Sequence, residues 1–431
     1  MGRFATESLQ EYGYEKNEGA SGVNRREVLG GASAAWLAMG LDGVRGLAEP
    51  AKADELRVGM IGPGSRGQEL LRQLLHVPGV RIAAVCDVYE PRFQQVNRMV
   101  GTEVPQTNDY RELLERKDLD AIYVATPLAH HAEHVLAALK TDRPVYGEKA
   151  LGFTPEQCNE IYAAATRPGA LFQIGHQYRY APWVRAAVDA VKKGKIGEPT
   201  QVYAYWHRNN DWRRAVPSPD PGGTLEHLIN WRLYRETSGG LVTELGSHHI
   251  DIANWVFDAT PERATGMTSI VRYHDGRTVG DNVQAVFSYP GGRRLMFSSL
   301  TDNAKMGNEL WIYGTEGSVA ITIEDATLYY EPKAHPKPAE EGEQVARHGI
   351  TTGASYSTKG EMPYRGPGEK LRVPMTEDPT LTACRAFIEC VRAKRQPVAN
   401  ARVGYGSAIA AAIANRAVYE EQGIAVPALP A

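Results

Sequence analysis

The stretch TELGSHHID, residues 243–251, holds two adjacent histidines between two carboxylates. His248 lies four residues after Glu244 and three before Asp251, offsets that bring side chains to one face of an α-helix. Such a set can ligate a metal, exchange protons with a substrate, or form the polar edge of a buried helix. Zinc needs three or four ligands of compatible geometry, and Glu244 with His248 supplies two. No His-Glu-x-x-His motif adds to them, and Cys86, Cys158, Cys384 and Cys390 lack metal-type spacing. No metal is expected. Imidazole titrates near neutral pH, so His248 is a candidate base for chemistry at a hydroxyl. His249 points about 100° away on a helix and has no assigned task.

The elements that must bring other groups to His248 begin upstream. Residues 57–61 read as a short buried strand, followed by Gly62-x-Gly64-x-x-Gly67 and a helical pattern through Leu75. A second apolar run, residues 80–85, leads to Asp87, 20 residues after Gly67. A glycine motif alone is weak evidence, but one set between strand and helix, with an acid ending the next strand, points to a dinucleotide. Gly62 permits the tight turn, Gly64 lets a pyrophosphate approach the backbone, and Gly67 allows close helix packing. Ser65 and Arg66 share the turn, which opens a helix whose free N–H groups attract phosphate. Asp87 suits ribose hydroxyls and repels a 2′-phosphate, so NAD is expected ahead of NADP, with Arg92 near enough to temper the preference.

Further strand–helix units follow. The run DLDAIYVATPLAHHAEHVLAALKT places Thr126 and Pro127 at a strand end and His131 at a helix start. The run RPVYGEKALGF places Glu148 and Lys149 just after a strand. Ligands of open α/β sheets bind outside these carboxyl ends, so Thr126, Pro127, His131, Glu148 and Lys149 should ring one crevice.

These motifs occur in order with GHQYRYAP, WR and SGGLVTELGSHHID. Together they resemble the glucose–fructose oxidoreductase / inositol dehydrogenase / rhizopine-catabolism family, written Gfo/Idh/MocA, from Arg57 onward. The resemblance implies an α/β fold in two parts. An NAD-binding Rossmann domain (residues 54–172) precedes an α/β domain (173–431) that carries a large open, mostly antiparallel sheet, the substrate site and closing helices. The family's Glu-Lys-Pro motif corresponds to Glu148, Lys149 and Ala150, and its Asp-x-x-x-His pair to Glu244 and His248. Lys149 and His248 would then flank the nicotinamide. His248 would take the hydroxyl proton, Lys149 would stabilise the alkoxide, and Glu244 would orient the imidazole. Three departures stand out: Ala150 for proline, which loosens the turn at Lys149; Leu128 for the asparagine after Thr-Pro; and the longer Glu244 for aspartate.

Candidate substrate contacts lie in the second part. Tyr178 and Arg179 open a helix after residues 172–175, Trp206 and His207 end a strand, and Trp231 with Arg232 forms the WR pair. Aromatic rings stack on the C–H face of a sugar while Arg179 and Asp251 would bond its hydroxyls. The segments NVQAVFSYPGGRRLMFSS and ELWIYGTEGSVAITI read as hairpins. Residues 332–372, rich in Pro, Gly and charge, suggest a long surface excursion.

The formal net charge of −3 and the lack of a basic tract give no support to nucleic-acid binding. Residues 1–53 differ from the rest. Arg25 and Arg26 precede a mild apolar stretch, residues 28–41, too short to span a bilayer, and an Ala51-x-Ala53 triplet follows. This reads as a twin-arginine export signal and predicts a periplasmic or extracellular protein. That route carries folded proteins, so a tightly held cofactor can travel with the chain. The leading expectation is an exported NAD-dependent oxidoreductase acting on a sugar, glycoside or cyclitol, assembled as a homo-oligomer. A redox-neutral NAD-dependent glycoside hydrolase and a non-catalytic sugar-binding protein are the alternatives.

Overall fold

Leu56–Ile61, Val80–Cys86 and Ala121–Val124 are short apolar runs without alternation, the pattern of parallel strands covered on both faces. In a computed structural model, which describes residues 55–331, 368–374 and 377–430, they are β1, β2 and β4 of a six-stranded parallel sheet. Gln106–Thr107 (β3), Val145–Gly147 (β5) and Phe172–Ile174 (β6) complete the order β3-β2-β1-β4-β5-β6. Five helices connect these strands: α1 (Ser65–Leu74), α2 (Pro91–Val100), α3 (Tyr110–Glu115), α4 (Leu128–Leu139) and α5 (Pro155–Ala165). Thr154 and Gln157 form a reciprocal capping box that starts α5.

A nine-stranded sheet follows in the order β14-β13-β12-β11-β7-β10-β9-β8-β15. Its members are Pro199–His207 (β7), Arg263–Ser269 (β8), Asn282–Ser288 (β9), Arg294–Leu300 (β10), Asn308–Gly314 (β11), Gly317–Ile321 (β12), Ala326–Tyr330 (β13), Glu369–Lys370 (β14) and Ile424–Ala425 (β15). Both expected hairpins form, β9 with β10 and β11 with β12. All pairings are antiparallel except β7 with β10. One face buries Val202, Ala204, Leu295, Phe297, Leu310 and Ile312. Helices α6 (Pro182–Lys192), α8 (Ser247–Phe257) and α10 (Ala401–Glu420) pack on the sheet. The other face carries the exposed side chains of Met267, Met296 and Tyr313.

Two further helices, α7 (Thr224–Ile229) and α9 (Pro379–Ala393), complete the described α-helices. The architecture is the expected one, but two of its boundaries differ. The expected division before Gln173 cuts through β6, which pairs with β5 in the first sheet. Helix α9 also returns to the first domain rather than serving the second. Its Cys384, Phe387 and Ile388 join a core with Leu70, Tyr123 and Tyr146, and the Phe387 ring meets Tyr123 and Tyr146 edge-on at 5.3 and 5.7 Å. The apolar periodicity of α9 announces a buried face and cannot say which sheet it covers. The thiols of Cys384 and Cys390 are buried and unpaired.

Residues 1–54, which carry the expected export signal, and the expected excursion up to residue 367 lie outside the described residues. Among the described residues no helix is long and apolar enough to cross a membrane, and no group of three or more His, Cys, Asp or Glu is placed to hold a metal.

Candidate active site

The carboxyl ends of β1, β4 and β5 open on a cavity of about 280 Å³, closed from the other side by the second domain. Arg66 enters from the glycine turn, Thr126 and His131 from the β4–α4 junction, and Glu148 and Lys149 from the end of β5. The second domain contributes Gln177, Trp206, Trp212, Arg214, Trp231, Arg232, Glu244 and His248.

Lys149 is the link between the two sides. Its Nζ donates to the backbone carbonyl of Glu244 at 2.6 Å, and the Lys149–Ala150 peptide is cis. Burial lowers the Lys149 pKa, with Glu244 and Glu148 acting in opposition. Glu148 accepts from Arg66 Nε at 2.8 Å and from the Lys149 N–H at 3.2 Å. Arg66 also reaches Thr380 of α9 at 3.4 Å.

The expected bond between Glu244 and His248 is absent. Val242–Gly246 is a π-helical turn leading into α8, and the extra residue per turn breaks the α-helical phase that would align positions 244 and 248. The Glu244 carboxylate accepts instead from Arg232 Nε at 3.2 Å, and Arg232 stacks on Trp231. His248 is positioned by rings. Tyr178 stacks on it at 4.6 Å, His176 meets it edge-on at 5.6 Å, and Trp206 lies at 5.9 Å. Its Nδ1 is buried with no partner. Burial, and next the charge of Lys149, hold His248 well below the usual histidine range, so the imidazole is neutral and able to accept a proton.

Four expected substrate contacts are used elsewhere. Arg179 and Asp251 bind one another through two bonds of 2.8 and 2.9 Å, both nearly buried, with Arg179 over the Trp255 ring. Each satisfies the other's charge, which an unpaired buried ion requires. Tyr178 does not line the cavity. Its hydroxyl accepts from Asn308 Nδ2 at 2.7 Å, and Asn308 Oδ1 accepts from His249 Nε2 at 3.0 Å. His207 faces the opposite side of β7 from Trp206, as strand alternation requires, and its Nε2 lies 3.0 Å from Ser298 Oγ. Trp206, Trp231 and Arg232 do line the cavity.

The nucleotide turn is shaped for a close backbone approach. Gly62 has φ +85°, and a Cβ on Gly67 would stand 2.3 Å from the Gly62 carbonyl oxygen, so neither position accepts a side chain without a shift. Asp87 accepts from the Tyr89 N–H at 2.9 Å and from Arg92 at 3.1 Å, and burial raises its pKa against the pull of Arg92. Ser65 opens α1 behind Gly64, and Pro127 precedes the first residue of α4. Thr126 Oγ1 lies 3.1 Å from His134 Nδ1 and 3.5 Å from His131 Nδ1. Burial holds His131 down to about 3 and His134 down to about 4.

Residues 56–176 match the family model described as an oxidoreductase family, NAD-binding Rossmann fold, and residues 184–320 match the GFO/IDH/MocA C-terminal domain. An inositol 2-dehydrogenase of Rubrobacter xylanophilus is 30% identical over 284 residues, covering 65% of this chain and 72% of the relative. The chain belongs to the Gfo/Idh/MocA oxidoreductase family. A second relative of this Gfo/Idh/MocA protein is a 2,7-anhydro-N-acetylneuraminate hydratase of Mediterraneibacter gnavus, 29% identical over 228 residues, 53% of this chain and 56% of the relative. The fold also matches a levoglucosan dehydrogenase solved with NADH and levoglucosan, with TM-score 0.66 and 20% identity over 86% of this chain and 99% of the other.

NAD is the cofactor of this Rossmann domain, and the glycine turn, Ser65 and Asp87 are the groups that would hold it. Several cavity residues carried no signal that their sequence context made legible. Arg214 stands in no motif of its own, Gln177 sits within GHQYRYAP with nothing to single it out, and Asn308, which lies outside the cavity lining and ties Tyr178 to His249, sits at the start of an ordinary strand. His176 is betrayed only by its place within GHQYRY, and it pairs with Ser407 at 2.7 Å.

Proposed function

We propose that this protein oxidises a secondary hydroxyl of a sugar, glycoside or cyclitol, with the electrons passing to a NAD that stays bound through turnover. One observation carries the reading: Lys149 from the Rossmann domain and His248 from the second domain line one cavity, walled by Trp206, Trp212 and Trp231. Flat apolar rings suit the C–H face of a sugar, and the polar groups between them suit its hydroxyls.

The cofactor supplies the two-electron acceptor. The chain's own residues manage the proton. His248 is held neutral and takes the hydroxyl proton as the C–O bond acquires carbonyl character. Lys149, fixed by its bond to the Glu244 carbonyl, keeps further N–H donors for the developing alkoxide. The negative charge on that oxygen offsets the Lys149 charge that depresses His248, so His248 becomes a better base as the reaction proceeds. The Trp walls exclude water, and Arg232 holds Glu244 in place.

The same reading includes export through the twin-arginine route, supported by Arg25, Arg26 and the apolar residues that follow, and a homo-oligomer built on the open sheet face. Replacing the arginine pair with lysines should keep the protein in the cytoplasm; export of that variant overturns the assignment. For the reaction, purified protein is offered free sugars, cyclitols and aryl glycosides while NADH and product are followed together. Oxidised sugar with matching reduction of NAD or of a second sugar supports the reading. No oxidation of any of these compounds removes it.

A second reading has a specific support, the relative named as a hydratase. Transient oxidation beside the reacting carbons acidifies a C–H, the neighbouring substituent leaves, water adds, and the carbonyl is reduced again. The net change is hydration or hydrolysis with no NADH released, and solvent deuterium enters at carbon.

A further inference from the structure

Four cationic side chains line the cavity, Arg66, Lys149, Arg214 and Arg232, against two carboxylates, Glu148 and Glu244. Both carboxylates are already engaged, Glu148 by Arg66 at 2.8 Å and Glu244 by Arg232 at 3.2 Å. Lys149 donates to a carbonyl. Among the described residues, no acidic group pairs with Arg214.

The loop that carries Arg214 is nevertheless built to hold it in place. The buried Asn230 side chain grips the Arg214 peptide on both sides, accepting from its N–H at 2.7 Å and donating to its carbonyl at 3.0 Å. Arg213 is tied to Glu226 and Asp275. Trp212 adopts φ +66°, held by the Asn210 side chain on its N–H. A left-handed backbone at a bulky residue is costly and persists only where its surroundings enforce it. The guanidinium is thus the free end of a fixed backbone.

The cavity lining locates it, and its electrostatic neighbours agree. After desolvation, the charges of Arg232 and then Arg92 lower the Arg214 pKa. Arg232 sits at the Lys149 end of the cavity. Arg92 reaches the nucleotide turn, where a Cβ on Gly64 would stand 2.6 Å from its guanidinium. Arg214 lines the same cavity as Lys149 and as Arg66 of the glycine turn, the span a dinucleotide's phosphates must cross. With Lys149 assigned to the reacting oxygen, Arg214 is the lining cation left for a phosphate.

We propose that Arg214 clamps the pyrophosphate of NAD from the second domain, so that the dinucleotide is gripped between the glycine turn and the Arg208–Gly223 loop. The clamp rests on NAD binding and is independent of the substrate's identity, so it and the proposed reaction can fail separately. It makes cofactor release depend on the loop moving aside, which suits a NAD retained through turnover.

The test uses the full chain, freed of nucleotide, titrated with NADH, ADP-ribose and adenosine by quenching of the cavity tryptophans. Arg214→Ala should weaken NADH and ADP-ribose by about 30-fold and Arg214→Lys by less, as for a lost charge-assisted contact to phosphate. Adenosine, which has no phosphate, should bind unchanged, and raised salt should narrow the difference between wild type and R214A. ADP-ribose binding unchanged in both variants overturns the clamp. So does a loss confined to glucuronate, a carboxylated sugar, which would assign Arg214 to the substrate. An equal loss of adenosine binding in both variants also overturns it, because it would mark a collapsed site.

Discussion

Lys149 Nζ bonds the backbone carbonyl of Glu244, not its carboxylate. The position of the lysine therefore depends on the π-helical turn and not on the acidic side chain. Glu244→Gln should leave Lys149 in place and cost about 10-fold or less in kcat/KM, within the range for a neutralised partner of an ion pair. Its pH profile should retain the wild-type acid limb. A carboxylate bonded to His248 would behave otherwise, since removing it would lower the imidazole pKa and move that limb. Steady-state kinetics across pH decide between the two.

His248 is neutral over most of the accessible pH range because burial and Lys149 both disfavour its charged form. The acid limb of kcat/KM should fall below 6.5, the ordinary histidine value. Lys149→Met removes a neighbouring positive charge, so the imidazole pKa must rise and the limb must move to higher pH. His248→Ala should cost about 10²–10⁴-fold in kcat. A K149M profile with an unmoved limb would show that another group is titrating.

Arg179 and Asp251 hold α8 against the segment that follows β6, behind the cavity. Asp251→Ala leaves a buried guanidinium unpaired and should cost about 3–5 kcal/mol of stability, read as a lower Tm. Replacing both by apolar residues, as in R179M with D251L, should recover much of that loss. If the pair were a sugar contact, D251A would instead raise KM in a protein of unchanged Tm.

His131 and His249 are buried neutral, with pKa values held to about 3 and about 4. The unfolded chain binds protons at these sites below pH 6.5 while the native chain does not, so stability is complete above that pH and lost as pH falls. Each should contribute about 2 kcal/mol of destabilisation by pH 5. Chemical denaturation at pH 7 and pH 5 measures the sum, and His249→Asn should reduce the difference.

Much of the fold was legible wherever one local signal has one structural answer. The strand, Gly62 turn and helix α1 were readable because the glycine spacing permits little else, and the 282–300 hairpin because Pro290 to Gly292 can only turn. Of the cavity lining, Lys149, His248, Trp206, Trp231 and Arg232 were legible, because they follow strand ends or stand in the motifs that carry the resemblance. It was not legible where a partner lies far along the chain or where phase shifts by one residue. Arg179 and Asp251 each look like a sugar contact until the other is placed beside it. One inserted residue in a helical turn separates Glu244 from His248, and one step of strand alternation sends His207 to the far face. No pattern near Arg214 shows that Asn230, sixteen residues on, will fix its peptide.

The return of α9 to the first domain has a consequence for biosynthesis. Phe387 and Ile388 complete a core begun by Met60 and Leu70, and Thr380 meets the Arg66 of the glycine turn. A ribosome makes the turn long before its supporting wall, since Thr380 follows Arg66 by 314 residues. The nucleotide cleft is therefore finished only after α9 is made and docked, and a nascent chain that stops short of it is a poor trap for NAD. Loading follows the docking of α9, and under the export proposed above it would also have to precede departure from the cytoplasm.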